Sequence, residues 1–483
     1  MCRLSWRRLA CCDVTGRAAM PLTLQTGLAQ YLQEECGENV YLCYQCVKCT
    51  SGCPLAEHFD LTPNQILRAI QLGQDDLALH SRTIWLCASC QTCTTRCPQG
   101  LDIAGIMDEL RIEARRRGIR PQVPEVALFS QAFLRNIAIL GRLYELGLMA
   151  ELNLRTRRPL KDLPMGLEMI RKGKIKLIPS FVPHYPKVKP VEPRPNQIAC
   201  YPGCTFDSTA SELRDSTYAV CEALGLELVE PQGWVCCGSS PAHSTNRLLA
   251  TVLPIKNLAL IEQSGFAEVV APCVGCFARF KTALYAVQHD PGLKAQVEEE
   301  LGCEIRDQVR VLSLLDLLVD KVGLSAIAER VRNPLHGLRV VNYYGCAFTR
   351  PPKITGADQP EYPMGMDRLM EALGAESLDW SYKTDCCGAS LSLTRTELAL
   401  ELSRKIMEDA RGVGAEAIVV ACPLCHANLD GRQRQMGLSY EMPILYVTQL
   451  MALAFGLDAK ATAFHKNMVD PQTFLRDKGL LGA

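Results

Sequence analysis

Two runs of four cysteines with the same spacing constrain this chain more than any other feature. Both follow the pattern Cys-x2-Cys-x2-Cys-x3-Cys-Pro. The first run consists of Cys43, Cys46, Cys49 and Cys53, and the second of Cys87, Cys90, Cys93 and Cys97. In this pattern three closely spaced thiolates hold one face of an iron–sulfur cube, while the fourth points away and serves the neighbouring cluster. Two complete copies predict two 4Fe–4S clusters.

The same pattern occurs in bacterial ferredoxins with two clusters, and it predicts how the ligands are shared. We expect the first cluster on Cys43, Cys46, Cys49 and Cys97. We expect the second on Cys87, Cys90, Cys93 and Cys53. A pair of zinc sites fits less well, because zinc motifs separate two Cys-x2-Cys pairs by a longer loop.

Length and composition exclude several other classes. A chain of 483 residues is too long for one hydrophobic core. A chain of this length also does not need disulfide bonds to be stable, so disulfide bonds are not the reason for its 25 cysteines. Its formal net charge of zero argues against a nucleic-acid partner. The most apolar stretches, 132–152 and 442–457, are interrupted by polar residues, so no transmembrane segment is predicted. We expect the protein in the cytoplasm, at most peripheral to a membrane through a partner protein.

The N-terminal part of the chain reads as helical. Thr62 and Pro63 are typical of the start of a helix that reaches about Leu72, and Asp102 of the start of another that ends near Gly118. We therefore expect an α-helical ferredoxin-like domain over 25–120. A helical and proline-rich connector follows over 121–195. Residues 1–24 are expected to be an extension outside the fold, with Met20 as the true start.

The C-terminal part repeats itself. Each unit contains a single cysteine, then Cys-Cys-Gly, then Cys-x2-Cys. The first unit has Cys204, Cys236, Cys237, Cys273 and Cys276, and the second has Cys346, Cys386, Cys387, Cys422 and Cys425. The first cysteines of these three elements lie 142, 150 and 149 residues apart. The segment 310–324 likewise corresponds to 443–457. This register predicts a duplication over 196–334 and 335–460, with a tail over 461–483.

Each repeat alternates short apolar runs with amphipathic segments of helical length. The predicted strands are 197–201, 226–230, 268–271, 338–344 and 417–421, and the predicted helices include 208–224, 245–263 and 394–411. This alternation predicts two Rossmann-like α/β repeats, each with a parallel sheet. Ligands of such sheets gather beyond the carboxyl ends of the strands. Cys204, Cys273, Cys346 and Cys422 each follow a predicted strand.

Five cysteines per repeat exceed the four ligands of a cubane, which leaves either an unusual cluster or a cubane with a spare thiol. The duplicated pattern resembles the catalytic B subunit of the coenzyme M–coenzyme B heterodisulfide reductase family. The helical module before it resembles that family's C subunit. The resemblance covers about 25–457 and implies a noncubane 4Fe–4S cluster held by all five cysteines of each repeat. It therefore implies two cubane and two noncubane clusters, with no flavin or nicotinamide site in this chain.

The resemblance also implies a function. The chain would be an oxidoreductase that relays electrons through the two cubanes to the noncubane clusters, which reduce or form a disulfide. It would be active in a complex with the flavin-containing A subunit of such a reductase or with another electron donor, on a small thiol or disulfide substrate. The alternative is an electron-transfer component of a flavin-linked glycerol-3-phosphate, glycolate or lactate dehydrogenase that passes electrons to quinone.

Three further side chains lie next to the motifs. His426 follows Cys425 and could protonate a departing thiolate; ordinary packing at the start of a helix is the simpler interpretation. Arg279 and Lys281 follow Cys276 and could meet an anionic substrate, whereas a solvated helix face is the simpler interpretation for them.

Overall fold

A computed structural model describes residues 27–182 and 190–482. These residues form an all-helical part followed by two four-stranded parallel sheets covered by helices. The expected order of a helical module and two α/β repeats is thereby confirmed. The predicted extension over 1–24, including Met20, lies outside the described residues.

The helical module carries both ferredoxin-type runs. Its helices are α1 (Leu28–Cys36), α2 (Lys48–Ser51), α3 (Pro63–Gln71), α4 (Asp75–Leu79), α5 (Thr83–Leu86), α6 (Thr92–Arg96) and α7 (Ile103–Arg116). Thr62 and Gln65 form a capping box at the start of α3. The Asp102 carboxylate accepts a bond from the Gly105 N–H at the start of α7, at 2.9 Å. Both predicted helix starts are confirmed, because these side chains satisfy backbone donors that have no partner within the helix.

Three helices connect this module to the sheets. They are α8 (Pro124–Leu140), α9 (Glu145–Arg155) and α10 (Leu163–Arg171). Between α10 and the first strand the described residues contain no helix or strand, in keeping with the proline-rich sequence. Part of the predicted proline-rich connector, 183–189, lies outside the described residues.

The first repeat is a parallel sheet in the order β2-β1-β3-β4. Its strands are β1 (Gln197–Cys200), β2 (Glu227–Val229), β3 (Glu268–Ala271) and β4 (Arg310–Ser313). Its helices are α11 (Gly203–Phe206), α12 (Ser211–Ala223), α13 (Ser239–His243), α14 (Arg247–Gln263), α15 (Val274–His289), α16 (Pro291–Leu301) and α17 (Leu324–Ala328), with a π-helix over Asp316–Gly323.

The second repeat has the same strand order, β6-β5-β7-β8. Its strands are β5 (Arg339–Tyr343), β6 (Glu376–Ser377), β7 (Ala417–Val420) and β8 (Ile444–Tyr446). Its helices are α18 (Cys346–Thr349), α19 (Pro352–Thr355), α20 (Gly365–Ala372), α21 (Thr396–Gly412), α22 (Pro423–Leu429), α23 (Val447–Ala454), α24 (Ala459–Thr462) and α25 (Gln472–Asp477). The five predicted strands agree with the structure to within one residue at each end. The sequence did not predict β4, β6 and β8 as strands.

The hydrophobic cores show how these parts are joined. One core runs through both repeats, from Leu213 of the first to Ile418 of the second. The core of the helical module includes Trp85 and extends to Leu398 and Leu402 of the second repeat. A smaller core joins α8 to Cys236 and its neighbours in the first repeat. The apolar core of the helical module therefore extends onto the second repeat, whereas α8 of the connector packs on the first.

Candidate iron–sulfur sites

The two ferredoxin-type loops share an uncommon backbone conformation. Gln45 and Val47 in the first loop have φ of 62° and 66°, and Ser89 and Gln91, at the matching positions of the second, have φ of 50° and 62°. Left-handed backbone is strained for side chains other than glycine, above all for the β-branched Val47. Successive turns of this kind direct N–H groups into a concave, anion-binding surface. Both loops are therefore shaped to wrap a negatively charged group. The sequence does not predict this shape, because none of the four left-handed positions is a glycine.

One cavity in the helical module is lined by four cysteines. They are the four that the sequence assigns to the second cluster, Cys53, Cys87, Cys90 and Cys93. The rest of its wall is mostly apolar, including Leu55 of the module. Four sulfurs around one protein-walled space match the ligand set of a 4Fe–4S cluster.

The cysteines assigned to the first cluster lie nearer the surface. Cys46 is exposed, and Cys43 and Cys97 are half-buried. Desolvation, and then the neighbouring Cys46, Cys97 and Cys43 thiols, raise the pKa of Tyr44. Three of the four cysteines assigned to the first cluster therefore lie around the Tyr44 side chain at the rim of the module.

In the first repeat, all five motif cysteines come together. The Cys237 and Cys276 sulfurs are 3.4 Å apart. Cys236 hydrogen-bonds Cys204 and Cys237, and Cys273 hydrogen-bonds Cys276. Thiol hydrogen bonds from Cys236 and then Cys276 lower the pKa of Cys237 well below its ordinary value.

The second repeat reproduces most of this arrangement. The Cys387 and Cys425 sulfurs are 3.7 Å apart. Cys386 hydrogen-bonds Cys346, and Cys422 hydrogen-bonds Cys425. The Cys425 thiol lowers the pKa of Cys387, as its counterpart does in the first repeat. Nowhere in 27–182 or 190–482 do three or more His, Cys, Asp or Glu side chains converge at the distances of a single metal ion.

Glycine allows the backbone to approach the sulfurs at one matching position of each repeat. A Cβ on Gly203 would lie 3.0 Å from the Cys276 sulfur, and one on Gly345 would lie 2.9 Å from the Cys425 sulfur. Both glycines have positive φ, of 68° and 71°. Glycine is needed at these two positions, because a side chain would press against the sulfur.

The loops that carry Cys273 and Cys425 approach each other at the boundary between the repeats. The Leu424 side chain lies 3.7 Å from the Cβ position of Gly275, next to the Cys273 sulfur.

His426 is buried beside this boundary and stacks on Tyr446, with 4.2 Å between the ring centroids. Its Nε2 lies 3.1 Å from the Ile444 carbonyl oxygen. Burial lowers the pKa of His426 well below its usual range, so the ring is neutral near pH 7.

The helical module meets the second sulfur group directly. The Cys90 thiol, from the wall of the cysteine-lined cavity, lies close enough to the Cys386 thiol that each shifts the pKa of the other. The Ser390 hydroxyl donates to the Ala88 carbonyl oxygen beside it, at 3.3 Å. Sequence reasoning did not find this contact, because no motif encodes a contact between two separate domains.

The connector covers the first sulfur group instead. The Cys236 N–H donates to the Gly141 carbonyl at 2.8 Å, and the Leu143 N–H donates to the Cys204 sulfur at 3.3 Å. A cleft opens next to Cys204; its wall includes Arg142, Tyr144, Glu145, Lys176 and Trp234. Burial raises the pKa of Glu145 to about 7.

Arg279 is partly buried at the junction between the helical module and the first repeat. It therefore does not lie on a solvated helix face, the simpler interpretation of its sequence. Burial lowers the pKa of its guanidinium, against the attraction of Asp108, Cys237 and Asp102. The Asp108 carboxylate also lies 2.7 Å from the His243 ring. A charged cluster thus joins α7 to the region of Cys237.

None of the described helices is both long enough and apolar enough to cross a bilayer.

Two known protein families match this chain. The cysteine-rich domain family matches residues 198–281 and 340–430. The 4Fe–4S dicluster domain family matches residues 42–102. The two matched stretches of the first family contain all ten cysteines of the repeats, and the match to the second contains all eight cysteines of the ferredoxin-type runs.

Three relatives show the range of the group. The membrane anchor subunit of the 8-methylmenaquinol:fumarate reductase of Wolinella succinogenes is 31% identical over 281 residues, which make up 57% of this chain and 97% of the relative. The B subunit of the ferredoxin/F420H2-dependent CoB-CoM heterodisulfide reductase of Methanosarcina acetivorans is 27% identical over 58% of this chain and 96% of its own. A weaker match is lactate utilization protein A of Oceanobacillus iheyensis, 20% identical over 53% of this chain and 96% of its own. The chain therefore belongs to the iron–sulfur protein family built on a duplicated cysteine-rich domain, in which heterodisulfide reductase B subunits are found, and it carries a 4Fe–4S dicluster domain ahead of the duplication.

Proposed function

We propose that this chain is the iron–sulfur subunit of a heterodisulfide-reductase-like complex and that it reduces or forms a disulfide at its two cysteine-rich repeats. The observation that carries the proposal is the pair of complete five-cysteine groups, which have matching sulfur contacts. A protein that only relays electrons has no need of two such groups. The proposal divides the chain at the boundaries expected from the sequence: 25–120, 121–195, 196–334 and 335–460.

The residues that would hold each cluster follow from the sulfur groups. The first cubane would use Cys43, Cys46, Cys49 and Cys97, and the second Cys53, Cys87, Cys90 and Cys93. The noncubane clusters would use Cys204, Cys236, Cys237, Cys273 and Cys276, and Cys346, Cys386, Cys387, Cys422 and Cys425. When bound, these groups supply one-electron chemistry and a metal that can bind sulfur.

The protein gives the two repeats different surroundings. Cys90 lies against Cys386, so a cysteine of the electron-carrying part reaches the sulfur group of the second repeat. The first repeat instead borders the cleft beside Cys204. There the cations of Arg142 and Lys176 would orient the acidic end of a low-molecular-weight thiol.

The exposed rim around Cys46 supports docking of an electron donor. Tyr41 and Tyr44 beside it are 65% and 60% exposed, an uncommon position for aromatic side chains on a free surface. We infer that a flavin-containing protein docks here. The many cysteines without a disulfide support a reducing compartment, the cytoplasm.

A second candidate is a relay that exchanges electrons with quinone and acts on no disulfide. It is favoured by the 31% identity to a component of a menaquinol:fumarate reductase, and more weakly by the match to a lactate utilization protein. Both candidates use the same helical module, so that module does not separate them.

Electron paramagnetic resonance of the anaerobically purified protein separates the candidates. For disulfide chemistry we expect the iron content of four 4Fe–4S clusters and a paramagnetic signal that changes when small thiols are added. The thiol-dependent signal is lost in Cys386→Ala and kept in Cys221→Ala, a buried cysteine outside the motifs. Reduction of a menaquinone analogue without any response to thiols contradicts the proposal and supports the relay.

A further inference from the structure

Helix α10 turns its apolar side away from the protein. None of its nine residues is buried. Its apolar residues Leu163, Leu167 and Ile170 are spaced along one face and are 47%, 59% and 37% exposed. A helix on the surface of a globular protein normally packs such a stripe against the core. This stripe instead stays largely open to solvent in the described chain.

Polar contacts attach α10 to the second repeat. Asp162, just before the helix, accepts bonds from Arg432 at 3.1 Å, and Glu168 within it pairs with Arg434 at 3.1 Å. The charged side of the helix therefore faces the protein while the apolar side faces outward, the reverse of the usual arrangement.

The flanking residues extend the apolar surface. Leu160 before the helix and Ile178 and Phe181 after it are 73%, 80% and 65% exposed. We call these three residues, together with Leu163, Leu167 and Ile170, the outward apolar surface. Exposed apolar side chains concentrated in about twenty consecutive residues mark an interaction site.

Positive charge surrounds this surface although the whole chain is neutral. Residues 154–181 contain eight Lys and Arg against two Asp and Glu, and both acidic residues are engaged by arginines of the second repeat. Three of the eight cations, Arg155, Lys174 and Lys176, pair with Glu151, Glu212 and Asp207. The side chains of Arg157, Arg158 and Arg171 are exposed and pair with no residue of the described chain. These cations lie at both ends of α10 and are free to meet an external anion.

We propose that the outward apolar surface binds an anionic lipid bilayer directly, with α10 lying in the plane of the headgroups. An apolar stripe flanked by unpaired cations is typical of helices that lie in the membrane interface. The apolar side chains enter the boundary of the acyl chains, and the arginines contact lipid phosphates, whose surface potential attracts basic segments. An apolar groove on a partner protein could also cover the apolar stripe of α10. It would not explain why unpaired arginines lie at both ends of that helix. This attachment needs no partner protein, in contrast to the expectation from the sequence.

Co-sedimentation of the full-length, anaerobically purified protein with lipid vesicles tests the proposal. We expect binding to phosphatidylcholine vesicles that contain about 30% phosphatidylglycerol, weak binding to phosphatidylcholine alone, and release by high salt. The double variant Leu167→Gln/Ile170→Gln lowers the apparent affinity at least about tenfold, because apolar area no longer enters the bilayer. Arg157→Gln/Arg158→Gln lowers binding to the anionic vesicles only.

Matched controls come from exposed residues elsewhere. Leu72→Gln/Leu77→Gln changes two leucines of the helical module that are 56% and 49% exposed. Arg306→Gln removes an exposed arginine outside the segment. Both variants should bind vesicles as the parent does. Equal binding to neutral and anionic vesicles, or no binding to either, overturns the proposal. It is also overturned if Leu167→Gln/Ile170→Gln converts a dimer of the free protein to a monomer, since a second copy would then cover the surface.

Discussion

Arg350 of the second repeat donates to the Thr92 hydroxyl of the helical module at 2.7 Å. Its guanidinium also donates to the carbonyl oxygen and the hydroxyl of Thr384, at 3.0 and 2.9 Å. Arg350 is 2% exposed and lies beside Cys90. The Cys386 thiol, together with Thr92 and Arg350, lowers the pKa of Cys90 to about 6 despite its burial. One buried cation thus links the two domains at the point where their cysteines touch.

Replacing Arg350 by Gln should lower the free energy of unfolding by about 3 kcal/mol, because buried hydrogen-bonding groups lose a charged partner. It should also move the reduction potential of the adjacent cluster to a more negative value, because a nearby cation stabilises the reduced state. Anaerobic urea unfolding and a redox titration measure the two effects. Arg350→Lys should largely retain the potential.

Arg395→Gln is the matched control, because Arg395 forms an ion pair with Glu397, whose side chain is 59% exposed. It should cost at most about 1 kcal/mol and leave the potential unchanged. Equal effects of Arg350→Gln and Arg395→Gln contradict the role given to Arg350.

The Lys174 ammonium pairs with the Glu212 carboxylate at 2.5 Å, where the side chains are 3% and 0% exposed. This pair fastens the segment after α10 to α12 of the first repeat. Lys174→Met should destabilise the protein by about 3–5 kcal/mol, because it leaves the buried Glu212 carboxylate without its cationic partner. Lys174→Met/Glu212→Leu should recover most of that loss. Urea unfolding of the four members of this double-mutant cycle measures the coupling; a double variant as unstable as the single one contradicts the prediction.

The parts of this structure that the sequence predicted are those with local signals. Apolar runs located β3 at 268–271 without error, and spacing located every motif cysteine. The strand β6 has two residues, Glu376 and Ser377, and neither is apolar. Its pairing depends on β5 beside it and leaves no pattern in the sequence.

The missed features of the sites depend on contacts between distant parts of the chain. Cys90 meets Cys386, and Arg350 meets Thr92, only because the helical module packs on the second repeat. The residue type of Val47 likewise does not predict its left-handed backbone, because valine disfavours that conformation. Such strain persists where the surrounding structure imposes it.

Stability should fall as the pH rises because of Glu109 on α7. This side chain is 8% exposed, and burial raises its pKa from 4.5 to about 7. Between these values the folded protein keeps a proton that the unfolded chain releases, so rising pH favours unfolding. Glu109→Gln should therefore be more stable than the parent by about 2–3 kcal/mol at about pH 8 and similar to it near pH 4.5.

Urea unfolding under nitrogen at the two pH values measures this difference. Glu34→Gln, on the exposed side of α1, is the control and should show the same pH dependence as the parent. A gain for Glu109→Gln that is equal at both pH values contradicts the titration of Glu109.

Gly345 should be required for the cluster of the second repeat and not only for folding. Its φ of 71° and ψ of 176° suit glycine alone, and an added Cβ would lie 2.9 Å from the Cys425 sulfur. Gly356 also has positive φ, of 80°, but an added Cβ would meet no atom within 4 Å. Gly345→Ala and Gly356→Ala should each lower stability, by about 1–3 kcal/mol. Only Gly345→Ala should also lower the iron bound per chain and change the paramagnetic signal, because the Cys425 sulfur must move. Iron analysis and electron paramagnetic resonance of both variants decide the matter, and a full complement of iron with an unchanged signal in Gly345→Ala places the cluster away from Cys425.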